Sequence, residues 1–221
     1  MNPKFRWMCA LALAVLLAGT AAAQFGQREM PSARGVWNPV VGSGAAYQIE
    51  SKREGKSEME FAIVGTEMVA GKTGHWMEMA FKGKEGLMVM KSLYVLDANS
   101  IQMKRMIMQP PGEGPMELPM NMAMMGGHRG NQSADIRTDA ELVGTETITT
   151  PAGTFECQHY RQKDKSSDVW VSEKVPPYGM VKMVSKDSTM TLTRVITGAK
   201  TRITGTPKKF DPMEMMRQQP D

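Results

Sequence analysis

The sequence predicts an all-β protein, a mainly antiparallel incomplete barrel or half-barrel of about ten strands with a short C-terminal helix. Three observations lead there. Runs rich in β-branched, aromatic and methionine residues recur at short, regular intervals from Tyr47 to Thr204. Within them apolar and polar residues alternate with a period of two, the mark of a sheet with one buried face. The connections are too short to hold a crossover helix, and parallel neighbours need roughly a dozen connecting residues or more, so neighbouring strands run antiparallel.

Taken in order, residues 24–44 are rich in Gly, Pro and Arg and read as an extended lead-in, with Val36-Trp37 placed to pin it to the body. Gly42-Ser43-Gly44 reads as a flexible joint. The β domain is expected over 45–206, with strands near 47–52, 57–64, 67–69, 74–81, 87–95 and 100–109. Met59, Phe61 and Ile63 share one face while Glu58 and Glu60 take the other. Met77, Met79 and Phe81 likewise stand opposite Glu78 and Lys82. From Pro110 to Gln132 four prolines and several glycines interrupt the pattern, and this stretch is expected to be a long loop without helix or ladder pairing. Strand patterns resume near 142–150, 154–161, 167–172, 179–185, 190–197 and 201–204. In the tail, 207–221, Asp211-Pro212-Met213-Glu214 supplies a cap, a first-turn proline and an acid, so the short helix is expected there. A sheet with one apolar face and almost no helix to cover it must curl around that face.

The N-terminus reads as an export leader over 1–23. Lys4 and Arg6 precede an apolar run from Trp7 to Ala18, and Ala21-Ala22-Ala23 suits cleavage before Gln24. A periplasmic or secreted location follows as an expectation, and no segment reaches the roughly 20 apolar residues of a membrane-spanning helix. Removing 23 of 221 residues leaves 198, enough for one self-sufficient domain. The leader carries two basic and no acidic residues, so the net charge falls from +4 to +2. Basic and acidic residues alternate, which argues against nucleic acid as a partner. Cys9 leaves with the leader, and the remaining Cys157 reads as a small buried hydrophobe ahead of an intermolecular bridge or a metal or redox thiol. No cysteine follows the leader directly, which argues against a lipid anchor.

In the second half, GTETITTPAGTFECQHYR (Gly144 to Arg161) and DVWVSEKVPPYGMVKMVS (Asp168 to Ser185) form a hairpin pattern turning on Pro151-Ala152-Gly153, then a tryptophan-bearing strand and a Gly-centred turn. These roughly forty residues resemble uncharacterised exported bacterial proteins grouped with the lipoprotein-carrier (LolA/LolB-like) superfamily. The resemblance implies an incomplete antiparallel barrel whose concave apolar face holds acyl chains or another greasy ligand.

The apolar alternation nominates Met59, Phe61, Ile63, Met77, Met79, Phe81, Met88 and Met90 as ligand-lining residues, with ordinary core packing as the competing reading. Methionine, 23 of 221 residues, is the outlier of composition. Met116, Met120, Met122, Met124 and Met125, with His128, form an alternative soft-metal set for copper or silver, since thioethers and imidazole suit such ions. Methionine is also an adaptable packing residue. The string GTEMVAGKT, Gly65 to Thr73, has five residues between its glycines where a phosphate loop needs four, and reads as a turn. Cys157 and His159, two apart on a strand, are expected to sit too far apart for a nucleophile and its base. No catalytic motif, cofactor or metalloenzyme signature stands out. The expectation is a non-catalytic exported protein holding a hydrophobic small molecule or lipid. The alternatives are the soft-metal binder and a module that receives another exported protein at an open sheet edge.

Overall fold

The computed structural model describes residues 36–83, 86–97, 100–125, 131–133 and 140–210. The leader, most of the lead-in, and the tail with its expected helix at Asp211 lie outside the described residues. A first meander runs β1 (Ser43–Ser51), β2 (Gly55–Val69), β3 (Lys72–Gly83), β4 (Gly86–Asp97), β5 (Ser100–Gln109) and β6 (Met116–Leu118). After α1 (Met120–Met125) and β7 (Asn131–Ser133), a second runs β8 (Ala140–Thr150), β9 (Gly153–Gln162), β10 (Ser167–Val171), β11 (Met180–Ser185) and β12 (Ser188–Thr197), and β13 (Lys208–Lys209) ends the described chain. All thirteen strands join one sheet, in the order β13-β6-β5-β4-β3-β2-β1-β12-β11-β10-β9-β8, with β7 on the flank of β5. The two meanders are sewn together where β1 pairs antiparallel with β12. The path is open, ending on β8 and β13, so the curled sheet is a half-barrel and not a closed one.

Alternation decides what the concave face buries. Tyr47, Met59, Phe61, Ile63, Met77 and Met79 from the first meander meet Val169, Val171, Met180, Met183, Met190 and Leu192 from the second in one buried cluster. Full burial of each such side chain contributes about 1.5–3 kcal/mol. The connection from β10 to β11 dips into the same cluster, burying Val175 and Pro177 completely. There Tyr178 meets Phe61 edge-on at 6.1 Å and Trp37 at 5.2 Å. Gly179, at φ +72°, makes the bend back into β11, where an added Cβ would lie 2.7 Å from Val171 Cγ1. The lead-in is pinned at the residues its apolar content marks out: Val36 N–H donates to Tyr178 O at 2.8 Å and Asn38 N–H to Pro177 O at 2.7 Å.

The alternation that sets Glu58, Glu60, Glu78 and Lys82 on the convex face predicts a charged surface, but part of that face is apolar. Trp76, Leu93 and Ile107 form a second buried cluster there, and residues 199–210 cross it as a strap. Ile203 packs on the cluster. Glu78, buried beneath the strap, accepts hydrogen bonds from Thr201 Oγ1 at 2.6 Å and Arg202 N at 2.9 Å. Farther along, β13 pairs with β6, and Phe210 N–H donates to Glu117 O. Beside the cluster the Arg105 guanidinium is held between Glu67 and Glu117, 5.3 Å above the Trp76 ring.

Three sequence expectations are corrected. Residues 201–204 form no strand: their polar groups are spent on Glu78 and Gln109 across the sheet, not on a ladder. The stretch from Pro110 to Gln132 is not without regular structure, since it contains β6, α1 and part of β7. Pro115 and Pro119 are tolerated because each lies just outside an element. Pro115 O accepts Lys208 N–H, and Pro119 O accepts the N–H groups of Met122 and Ala123 in the first turn of α1. Gly42-Ser43-Gly44 is no joint: Ser43 opens β1, and a Cβ on Gly44 would fall 2.2 Å from Phe61 O, so β1 and β2 approach there as only glycine permits.

Candidate functional site on the concave face

The eight residues nominated as ligand lining come together on one face of β2, β3 and β4. The register pairs Met59 with Phe81, Phe61 with Met79 and Ile63 with Met77, then Met79 with Met90 and Phe81 with Met88. Directly opposed residues of an antiparallel pair share a face with Cβ atoms about 4.5–5.5 Å apart, so these are touching rows. Burial divides them. Met59, Phe61, Ile63, Met77 and Met79 are buried in the shared core, beneath Tyr178 and its loop. Phe81, Met88 and Met90 are half-buried.

The half-buried part continues beyond the nominated residues. Met90 faces Met108 on β5, and Met108 faces Met116 on β6, both of them half-buried. Phe81, Met88, Met90, Met108 and Met116 thus pave the part of the concave face nearest the β3–β4 and β5–β6 turns. Toward the opposite rim the same face is covered. Met103, Met106 and Ala123 bury one another, with Met120, Leu118 and Tyr94 against them, so α1 acts as a lid. Trp37 closes the side toward the second meander, with its ring 6.1 Å from that of Tyr94. Burial holds the Tyr94 and Tyr178 phenols above the ordinary phenol range. Met116 is nominated only in the soft-metal set, because the pattern between Pro110 and Pro119 gives no strand on which to align it, and Met108 is not nominated although it lies inside the strand expected over 100–109. Met108's alternation with Met106 was the available signal.

Of the alternative soft-metal set, the described side chains fall in three different settings. Met116 belongs to the ladder, Met120 packs on the Met103–Met106 cluster, and Met122 on α1 is exposed. Met124 and Met125 belong to α1 by backbone only, and His128 lies outside the described residues.

No family model matches the chain, and no curated protein matches it in sequence. Some solved structures align with much of the chain, at low identity and with low TM-scores. A candidate lipoprotein from Parabacteroides distasonis aligns over 73% of this chain and 98% of its own, at 14% identity and a TM-score of 0.36. A candidate exported protein with a YmcC-like fold from Bacteroides fragilis aligns over 73% and 99%, at 13% identity and a TM-score of 0.35. MucB, solved in complex with MucA, aligns over 76% of this chain and 54% of its own, at 9% identity and a TM-score of 0.38.

A second constellation lies on β8, β9 and β10. His159 Nδ1 is 2.8 Å from Glu146 Oε1, and Nε2 is 2.7 Å from Asp168 Oδ1. Trp170, directly opposite His159 in the ladder, stacks on the imidazole and donates its indole N–H to Glu146 Oε2 at 2.8 Å. Arg161 Nε–H completes the set on Asp168 at 2.9 Å. The Glu146 carboxyl is held below the usual range, first by the Trp170 indole and then by His159. With a carboxylate at each ring nitrogen, neither nitrogen is free to meet a nucleophile or a substrate. Cys157, two residues away and buried, has its thiol pushed up to about 11 by desolvation and then by the Glu146 charge, the reverse of what an activated thiolate requires. The cluster is a strut that ties three strands. Sequence reasoning discounted the Cys157–His159 pair and did not find Glu146 and Asp168, whose meeting depends on the register of β8 and β10 against β9.

Proposed function

We propose that this chain is a non-catalytic exported protein that holds a hydrophobic ligand, the acyl chain of a lipid, against the half-buried strip of its concave face. The observation that carries the reading is the row of Phe81, Met88, Met90, Met108 and Met116, which the fold gathers on one face and leaves only half covered. Large apolar side chains left uncovered beside a packed core gain by excluding water against an apolar guest. Unbranched thioether side chains re-pack around guests of different shape. The leader expected at the N-terminus supplies the export. The resemblance of Gly144 to Arg161 and Asp168 to Ser185 to the lipoprotein-carrier superfamily points to the same ligand class.

The test is displacement of a fluorescent fatty acid, alongside native mass spectrometry of protein purified from its own source. Wild-type protein is expected to bind the probe and to carry a lipid-sized adduct. Met88→Glu with Met90→Glu, which puts charge on the strip at two half-buried positions, is expected to abolish both while the circular dichroism spectrum stays that of the folded sheet. Probe binding that survives the double substitution, or protein with neither adduct nor probe affinity, refutes the reading.

A further inference from the structure

We propose that Met90, Met108 and Met116, backed by Met79, form a thioether site for one soft monovalent metal ion, Cu(I) or Ag(I). The juxtaposition is made by register. Met79 faces Met90 across β3 and β4, Met90 faces Met108 across β4 and β5, and Met108 faces Met116 across β5 and β6. Four methionines therefore stand in consecutive rungs on one face of four adjacent strands, each with Cβ about 4.5–5.5 Å from the next. Met88 lies two residues from Met90 on the same face.

Three rotatable bonds let the sulfurs of neighbouring rungs swing toward a common point between them. Three of the four are half-buried, so an ion has access from solvent, while Met79 closes the floor from within the core. Thioethers are soft, neutral donors. They suit Cu(I) and compete poorly with water for hard or borderline divalent ions. They carry no proton to displace, so occupancy here does not depend on pH in the range where histidine, cysteine and carboxylate ligands lose theirs. This site shares Met116 with the sequence-based set and otherwise uses strands instead of the segment Met120 to Met125 and His128. The inference stands apart from the lipid reading, because a hydrophobic ligand needs only apolar surface whereas an ion needs sulfur.

That difference supplies the experiment. Protein carrying 13C-methyl methionine is titrated with silver nitrate in chloride-free buffer, and the methionine methyl resonances are followed at about pH 5 and about pH 7.5, values either side of the ordinary histidine pKa. One equivalent is expected to shift the methyls of Met90, Met108 and Met116, with the same affinity at both pH values. The variant Met90→Leu, Met108→Leu, Met116→Leu keeps the apolar volume. It is expected to lose at least roughly tenfold in silver affinity, since even loss of an outer partner of a metal site costs about that much. It is also expected to keep an unaltered circular dichroism spectrum. The companion variant Met122→Leu, Met124→Leu, Met125→Leu is expected to bind silver as wild type does. Loss of silver binding in the companion variant with retention in the ladder variant overturns the proposal, and so do ladder methyl resonances that do not move. Failure of fatty-acid binding alone counts against the lipid reading and leaves the metal site standing.

Discussion

The imidazole of His159 lies flat on the indole of Trp170, with ring centroids 4.3 Å apart and planes 17° from parallel. The two residues are direct partners across β9 and β10, and the carboxylates of Glu146 and Asp168 grip the imidazole at both ends. One side chain therefore joins three strands of the second meander by stacking and by charge-assisted hydrogen bonds.

Replacing His159 by Ala leaves Glu146 and Asp168 facing an empty space and removes the stacked surface. The expected loss is about 2–4 kcal/mol of unfolding free energy, since hydrogen bonds to charged groups contribute most among their kind. Urea denaturation measures it, and a loss below about 0.5 kcal/mol, the scatter of an ordinary surface substitution, would contradict the strut.

Cys157 makes a pH-dependent contribution with a definite sign. Its folded-state thiol lies at about 11, above the ordinary value of 9.0, so folding favours the protonated form. The contribution is complete below the unfolded value and is lost as pH rises through the folded one. The difference in stability between wild type and Cys157→Ala is expected to hold level up to about pH 8.5 and to shrink above it. Iodoacetamide at neutral pH is expected to modify the thiol only after denaturation, as a mass shift would show.

Gly44→Ala tests the close approach of β1 to β2. The new methyl falls 2.2 Å from Phe61 O and 2.9 Å from Ala62 Cα, and backbone cannot yield as a flexible side chain does. The expected cost is at least about 3 kcal/mol, the upper end for overpacking, read as a fall in Tm. Gly55→Ala, where nothing lies within 4 Å of the added Cβ, separates the clash from the strain that Gly55 shows at φ +77°.

Glu78→Ala tests the strap. The substitution removes the acceptor of Thr201 Oγ1 and Arg202 N, for an expected loss of about 2–3 kcal/mol. Limited proteolysis is expected to find a new cleavage between residues 199 and 207, with Trp76 more readily quenched. An unchanged cleavage pattern would mean that the packing of Ile203 holds the strap without Glu78.

Much of this architecture is legible along the chain, wherever a side chain's fate depends on its immediate neighbours. Alternation places Met59, Phe61 and Ile63 on one face because the strand period is two, whatever the rest of the molecule does. Pro151-Ala152 turns the β8–β9 hairpin where its local geometry says it must. The misses fall where a distant segment changes the outcome. Thr201 to Thr204 has the composition of a strand, but Glu78 and Gln109 from the sheet take its polar groups first. The prolines at 115 and 119 look like barriers until β13 supplies β6 with a partner and Pro119 proves to stand at the start of α1.

The candidate site shows the same division. Apolar periodicity selects the face, and it selects Phe81, Met88 and Met90 along with five residues that turn out to be core. It cannot separate the two groups, because nothing local to β2 or β3 records that Tyr178 and Trp37 come to rest over part of that face. Nor can it align Met90 with Met108 and Met116, since a one-residue change of register would turn each of them to the other side. The sequence by itself determined an antiparallel sheet with a methionine-rich apolar face. Which methionines are covered, which stay open and which stand side by side was decided by the tertiary structure, because coverage and register belong to pairs of segments far apart in the chain.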